Sequence, residues 1–549
     1  MNKYLNITLE KLTPAVVALI ISSLMIARVI YFYNMPDSSL IGVIPDDAFY
    51  YMQMAKHRVI EGFWTFDGTS PATGFHFLYG YLLVFIYSVY FEIDWHLLYI
   101  IIGVMSSIFI GLASFLTAQT AKGIFGYKSI VFSMIPFLAA TSLIQSTAMM
   151  ESWLVLFFSS ATIYYLVSSD IKNKNYIIPI FLGVFGSLSR SDYGLLPGVM
   201  FISYFLTSFF VKNNKVKDSF FVLIGSVIGV AIVLTHNFHI SGNFLQASAQ
   251  TKLYWSSILG HNIFPPLILI ISLSIPYYEL LNKSAKFAIV IAALFMIISY
   301  FIKSKKYYYI DVDKLLVGSM CLLTLIFYGL FYRLNSQALQ SWYSSNLIAP
   351  IALLGSFLGY FLIMAEKSPA ACSAPLGTVS GIPIPRPLGR GSLLNQRNLI
   401  VPLVIFLICI SNSVINISFV PWPHQAGMMN AGLFLKDQNL NSKYASWNAG
   451  IISYFSGKNV INIDGLTNDD ILPFIKNNNL FDYIKLNEIE FIVDYSEMLS
   501  NKSARLRGGY LDDRIDRCLM PIKVVDGDAK TVGGPTSRLM LFQVVDPCN

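Results

Sequence analysis

A chain of 549 residues that is 55% hydrophobic, 15% aromatic and only 13% charged, with a mean hydropathy of +0.59, is too apolar to be an ordinary soluble globule. The net charge of +7 is spread over loops such as the one with Lys212, Lys215 and Lys217. That fits the basic bias of cytoplasmic loops and excludes a nucleic-acid-reading face. Five cysteines are too few for a disulfide scaffold, and no pair has zinc-ligand spacing.

Apolar stretches near the roughly 20 residues needed to cross a hydrocarbon core recur from Ala15 to Ile415, which predicts about twelve spans, between eleven and thirteen. The first, Ala15 to Phe32, has no small-residue cleavage site after it and reads as a retained helix rather than a signal. Residues 34–96 form a first outer loop that mixes charge with apolar residues. Within it Phe77 to Phe91 is too short to span and is expected to lie along the interface. Leu97 to Leu116 then runs inward and places Lys122 and Lys128 in the cytoplasm, Ile130 to Ile144 runs outward, and Trp153 to Val167 runs inward. This register leaves Glu151 at the outer face.

Ile177 to Leu188 and Tyr193 to Phe210 flank Arg190 and Asp192, and ionisable groups at that depth need partners or water. Phe220 to Thr235 leads to a polar loop, His236 to Asn262, that carries Lys252. Further spans are expected at Ile263 to Leu281, Phe287 to Ile302, Leu315 to Phe331, Leu347 to Met364 and Leu399 to Ile415. Basic loops on both sides of Phe287 to Ile302 conflict with one topology. An odd number of crossings resolves the conflict by placing the C-terminus outside.

Residues 365–398, rich in Pro, Gly and Ser, are expected to form a disordered cytoplasmic connector. The composition changes again near 421, which divides the chain into a membrane module, 1–420, and a soluble extracytoplasmic domain, 421–549, mixing helices with short strands. Cys518 and Cys548 share that domain, and both pairing and free thiols are compatible with their positions.

The strongest local signal is Pro45-Asp46-Asp47-Ala48-Phe49-Tyr50-Tyr51, which places adjacent carboxylates just past a spanning helix. Two readings compete, a functional site and an acidic first turn favoured by the helix dipole. The balance moves because Asp46, Asp47, His76, Glu151, Arg190 and Lys252 all fall at outer helix ends under one topology. His57, His236, His239 and His261 lack metal-ligand spacing and read as structural, and Trp342-Tyr343 reads as an interfacial belt.

Together with Phe66-Asp67-Gly68 and Thr73-Gly74-Phe75-His76, the Asp-Asp motif resembles the first outer loop of the GT-C superfamily, polytopic glycosyltransferases that use polyprenyl-phosphate-linked sugars. The similarity is to bacterial members related to aminoarabinose transferases and protein O-mannosyltransferases. The resemblance implies an all-helical polytopic module with interfacial helices plus a small α/β domain, with the active site facing away from the cytosol at the cytoplasmic membrane. It implies transfer of one sugar to an extracytoplasmic glycan, lipid or protein.

By the same resemblance Asp46 is the base and Asp47 stands beside it. Met149-Met150-Glu151-Ser152 stands where relatives show Gly-Met-Glu-Thr, so Glu151 supports the site. Ser189-Arg190-Ser191-Asp192 is similar to an Arg-Pro-Glu-Gly motif, so Arg190 grips the lipid phosphate. His76 occupies the place of a phosphate-facing lysine, which it either replaces or merely marks as a helix cap, and Lys252 is a further phosphate ligand. Trp447-Asn448-Ala449-Gly450, Tyr454 to Gly457 and Asn462 to Leu466 resemble the start of the outer domain and also read as plain turns. No cofactor is required; a divalent metal at Asp46, Asp47 and Glu151 is the alternative that oligosaccharyltransferases suggest. Rival readings are a transporter or lipid flippase, which predicts internal repeats that are not evident, and a non-catalytic envelope assembly protein.

Overall fold

The computed structural model describes residues 13–168, 175–210, 215–275, 312–365, 404–438, 442–530 and 536–545. The first helix, α1 (Pro14–Tyr33), begins where Thr13 accepts a bond from the Val16 N–H and Pro14 supplies a fixed φ. Two short elements follow in the outer loop, α2 (Asp37–Ile41) and α3 (Asp46–Ile60), then the 13-residue α4 (Phe77–Val89). The long α5 (Trp95–Phe125) is capped by Asp94, which accepts from the His96 N–H. It packs along α1 through close contacts such as Gly103 against Val29.

The segment expected to cross as one helix from Ile130 to Ile144 is broken into short helical pieces, Tyr127–Ser129, Ile130–Met134, Pro136–Leu138 and Ala140–Gln145. Pro136 lacks an N–H and cannot continue the ladder. All residues from 129 to 145 except Ile135 are buried by the rest of the protein, the condition under which irregular backbone is tolerated at membrane depth.

The next helices are α6 (Ser152–Val167), α7 (Ile177–Ser189), α8 (Leu195–Ser208) and α9 (Lys215–Ser241). On α7 and α9, Gly183 and Gly225 lie against each other's helix backbone, where a Cβ at either position would strike a carbonyl. Small residues are how membrane helices approach so closely.

The stretch 236–262, expected as a polar loop, is helical over most of its length. Helix α9 runs on to Ser241, and α10 (Ala247–Leu259) follows. The first outer loop satisfies the start of α10: the Ala247 N–H donates to Thr73 Oγ1 at 2.9 Å and Gln246 Nε2 to the Phe75 carbonyl at 2.5 Å. Helices α10 and α11 (Phe264–Ser274) meet at a bend of 113°. Then come α12 (Val312–Arg333), α13 (Ser345–Ala365) and an apolar helical segment, Val404–Ser418.

Among the described residues four helices, α1, α5, α9 and α12, are long and apolar enough to cross a membrane, or five spans if the bent pair counts as one. Shorter apolar helices accompany them, and the protein is a multi-pass membrane protein. The expected span Phe287–Ile302, the basic loops on either side of it and the connector beyond Ala365 lie outside the described residues.

After α14 (Gln425–Lys436) the chain builds a five-stranded sheet of β1 (Tyr444–Ser446), β2 (Val460–Asn462), β3 (Phe491–Tyr495), β4 (Leu519–Lys530) and β5 (Thr536–Val544), in the order β2-β1-β3-β5-β4. Strand β1 is parallel to β2 and β3, whereas β5 runs antiparallel to β3 and β4. Helix α15 (Ala449–Ser456) crosses over between β1 and β2. Cys518 is disulfide-bonded, and Cys548 lies outside the described residues.

This region is tied to residues 34–96. Thr73 donates through N–H and hydroxyl to Asp469 at 2.9–3.0 Å, and Thr251 donates to the Gly465 carbonyl at 2.8 Å. Gly74 lies against the Leu466 carbonyl with no room for a side chain.

Candidate active site

Two clefts meet beneath the sheet region. The first has a volume of about 140 Å³ and is lined by Asp47, Tyr51, His76, Glu151, Arg190 and Lys252 among others. The second, lined by Asp46, Asp47, Trp342, Trp422, Trp447 and Arg507 among others, lies between the membrane module and the C-terminal region. Asp47 and Trp342 belong to both walls.

Helix α3 decides which carboxylate faces where. It starts at Asp46, so consecutive side chains diverge by about 100° around its axis. Asp46 Oδ1 accepts from the Ile451 N–H at 2.6 Å and Oδ2 from the Gly450 N–H at 3.3 Å, at the N-terminus of α15. A side chain at position 450 would collide with Asp46, which accounts for glycine in Trp447-Asn448-Ala449-Gly450. Burial pushes the Asp46 carboxyl up to about 6 against the pull of the Ile451 N–H, and Asp47 adds to the rise. Asp47, partly exposed, faces the first cleft. Burial raises its carboxyl and the Lys252 ammonium opposes that rise.

Glu151 is wholly buried. Its Oε1 lies 3.4 Å from Arg190 Nη1 and 3.5 Å from His76 Nε2, and its Oε2 accepts from the Tyr51 hydroxyl at 3.3 Å. The backbone that delivers Glu151 is unusual. Met149 has φ +51°, a left-handed conformation rare for such a side chain, and its carbonyl accepts from Tyr79 Oη at 2.5 Å. This is the position that the motif resemblance sets against a glycine, so the backbone geometry that glycine favours is present here with methionine.

Arg190 follows the last residue of α7 in extended conformation and is 2% exposed. Asp192 grips its guanidinium through two bonds, Nε to Oδ1 at 3.1 Å and Nη2 to Oδ2 at 2.8 Å, and the Trp342 carbonyl accepts from Nη1 at 3.2 Å. The Tyr332 hydroxyl donates to Asp192 Oδ2 at 2.9 Å. Such a fork fixes the plane of the cation. The Tyr343 ring lies 4.5 Å from Arg190 Cζ, and the Tyr343 hydroxyl accepts from Lys252 Nζ at 3.2 Å. Trp342 and Tyr343, expected as an interfacial belt, are therefore part of the cleft, and Trp342 is only 5% exposed.

His76 joins the cleft wall as the residue before α4, and its side chain makes no capping bond to that helix. Burial lowers its imidazole from the ordinary value while Glu151 pulls it back up, so the fixed cations here are Arg190 and Lys252. Of the six predicted residues, five line one cleft and Asp46 is turned to α15. Among the described residues no three His, Cys, Asp or Glu side chains are placed to hold a metal, and the trio Asp46, Asp47 and Glu151 is not assembled as one.

Tyr51, Asp192, Tyr332, Tyr343, Leu466 and Thr467 were not singled out as site residues by the sequence. The usable signal was the Asp in Ser189-Arg190-Ser191-Asp192. Asp464 was also passed over as a catalytic group; it is buried, accepts from the Leu466 N–H at 2.6 Å, and its carboxyl is raised by burial, with Asp47 and Asp46 adding to the rise.

Residues 418–529 match a family described as a domain of unknown function (DUF8728). No curated protein matches the chain. Among solved structures, ArnT from Cupriavidus metallidurans bound to undecaprenyl phosphate is similar over 96% of this chain and 98% of its own, with a TM-score of 0.52 and 11% identity. The Archaeoglobus fulgidus oligosaccharyltransferase AglB, in complex with an inhibitory peptide and a dolichol-phosphate, is similar over 93% of this chain and 73% of its own, with a TM-score of 0.52 and 10% identity. The chain has the GT-C fold, a helical membrane module joined to a small α/β region.

Proposed function

We propose that this protein is a membrane glycosyltransferase that takes one sugar from a polyprenyl-phosphate carrier and passes it to an acceptor on the extracytoplasmic side of the cytoplasmic membrane. The observation that carries the reading is the first cleft, where Asp47 and Glu151 face Arg190 and Lys252. Both similar structures were solved with a polyprenyl phosphate, undecaprenyl in one and dolichol in the other.

In this scheme the donor's phosphate lies against Arg190 and Lys252. As the acceptor hydroxyl attacks the anomeric carbon, the bond from that carbon to the phosphate oxygen breaks, and the two cations stabilise the charge developing on the leaving polyprenyl phosphate. The acceptor proton passes to a carboxylate. We assign that base to Asp47 rather than to Asp46, because Asp46 is committed to the Gly450 and Ile451 N–H groups whereas Asp47 lies where the two clefts meet. The second cleft then admits the acceptor. Glu151 holds Arg190, His76 and Tyr51 in place. Wholly buried and in contact with Arg190, it is a positioning residue.

The test is transfer of label from polyprenyl-phosphate sugars to extracted envelope acceptors by the purified protein. Labelled acceptor in the wild type, lost in Asp47→Asn, supports the scheme. Movement of the lipid across a bilayer without transfer would replace it with a flippase.

A further inference from the structure

Arg507 differs from the other cations that line the two clefts. Arg190 is held by Asp192, and Lys252 donates to Tyr343. Among the described residues Arg507 makes no ion pair and its guanidinium donates no hydrogen bond, and its Nε is buried without a partner. It is placed by rings instead. Its Cζ lies 5.2 Å from the Trp447 ring centroid and 5.6 Å from that of Trp255, and these two indoles stack on each other at 5.5 Å. The Arg507 carbonyl accepts from Trp255 Nε1 at 2.9 Å, and the next residue, Gly508, is pressed against the Trp447 ring with no room for a Cβ. The backbone and both ring faces are thus fixed, while the planar donor fork is left without an acceptor.

An arginine keeps its charge at any physiological pH, and its fork matches a carboxylate better than any other side chain does. The remaining walls of the second cleft include Trp342, Trp422 and Tyr495, broad faces on which the C–H faces of a pyranose ring can rest. Carboxylates also line this cleft. Asp46 is closed off by backbone N–H groups, and Asp47 and Glu497 add negative charge to the same walls, with Glu497 near enough to act on Arg507 electrostatically. With one such cation among several carboxylates, the cleft favours a singly charged group over a polyanion.

We propose that the second cleft takes an acidic saccharide acceptor, one sugar of which carries a carboxylate received by Arg507. This rests on reading that cleft as the acceptor side of the proposed transferase, and it adds the class of acceptor. A neutral glycan or a peptide would leave the guanidinium unpaired in a half-buried position, which costs binding free energy.

The experiment uses the full-length protein in lipid nanodiscs and two probes that differ at one group, a disaccharide ending in a hexuronic acid and the same disaccharide with its carboxylate reduced to the alcohol. Titration calorimetry is expected to show the acidic form binding roughly tenfold more tightly or better, as one charge-assisted contact implies. Arg507→Gln should erase the difference, and Arg507→Lys should restore part of it. Equal binding of both probes to the wild type, binding of neither, or a preference that survives Arg507→Gln would overturn the proposal. The wild-type comparison needs no variant to fold. Undecaprenyl phosphate, titrated in parallel, reports on the donor cleft. If the lipid fails to bind, the transferase reading falls, whereas the acidic preference is judged on the disaccharides alone.

Discussion

The Asp46 carboxylate and the Ile451 N–H, 405 residues apart in the chain, form a 2.6 Å hydrogen bond that fastens the first outer loop to the C-terminal sheet region. Tyr50, on the next turn of the same helix, adds a second tie, its hydroxyl accepting from the Ala449 N–H at 3.1 Å and from Asn462 Nδ2 at 3.2 Å. Adjacent acidic residues thus divide two tasks, one at the junction and one at the cleft.

This division predicts different failures for neighbouring substitutions. Asp47→Asn should abolish label transfer with little change in thermal midpoint. Asp46→Ala should lower stability by about 1–3 kcal/mol, the cost of leaving two buried N–H groups unpaired, and should reduce transfer only in part. Asp46→Asn keeps one acceptor oxygen and should fall between. Complete loss of transfer in a folded Asp46→Asn with full transfer in Asp47→Asn would return the base to Asp46.

Asp192 is expected to govern lipid binding through Arg190 without touching the lipid. Asp192→Asn breaks the two-bond grip on a buried guanidinium, and removing one partner of such a pair costs about 3–5 kcal/mol. Undecaprenyl-phosphate affinity should fall roughly tenfold or more. Lys252→Gln should weaken the same lipid while leaving the thermal midpoint near wild type, since its Nζ hydrogen bond is to a single phenol. Unchanged lipid affinity in both variants would remove the cleft as a phosphate site.

Met149→Gly should lower stability, but by less than truncation of a buried methionine on unstrained backbone. The left-handed backbone at φ +51° is costly for methionine and free for glycine, a difference of about 1 kcal/mol. The lost packing of a side chain that is 2% exposed, about 2–5 kcal/mol for a buried methionine, exceeds that gain. Chemical denaturation of Met149→Gly and Met149→Ala checks this, and a glycine variant no more stable than the alanine variant would mean that the left-handed backbone stores no strain.

Stability should fall as the pH rises from about 4 to 7. Burial raises Asp494 to about 7, and Asp46 and Asp469 to about 6, each above the unfolded range near 4. The folded state therefore binds protons more tightly, and the stability these groups contribute is fully present below pH 4 and lost as the pH passes through the folded values. Asp494 also accepts from the Trp447 and Tyr495 N–H groups and the Tyr510 hydroxyl, and so holds the loop before α15. Asp494→Asn should flatten the slope of thermal midpoint against pH between 5 and 8. A slope unchanged from wild type would assign the dependence elsewhere.

Most of the architecture could be read from residue order, because the signals are local. Apolar runs placed α1, α5, α6, α7, α9 and α12 within a few residues of their expected positions, apart from extensions at the ends of α5 and α9. Glu151, Arg190, His76, Asp47 and Lys252 could be gathered to one side by counting crossings. The break at Pro136 and the helical α10 were not legible, since burial by other segments and bonds from Thr73 and Gln246 to distant partners decide them. Nor could residue order tell Asp46 from Asp47. Two neighbouring carboxylates are equivalent until a helix turns them some 100° apart and sets one against the N–H groups of α15 and the other against Lys252. Spacing along the chain determined which charges fall at helix ends; only the packing of the sheet region onto residues 34–96 determined which of them remain available for chemistry.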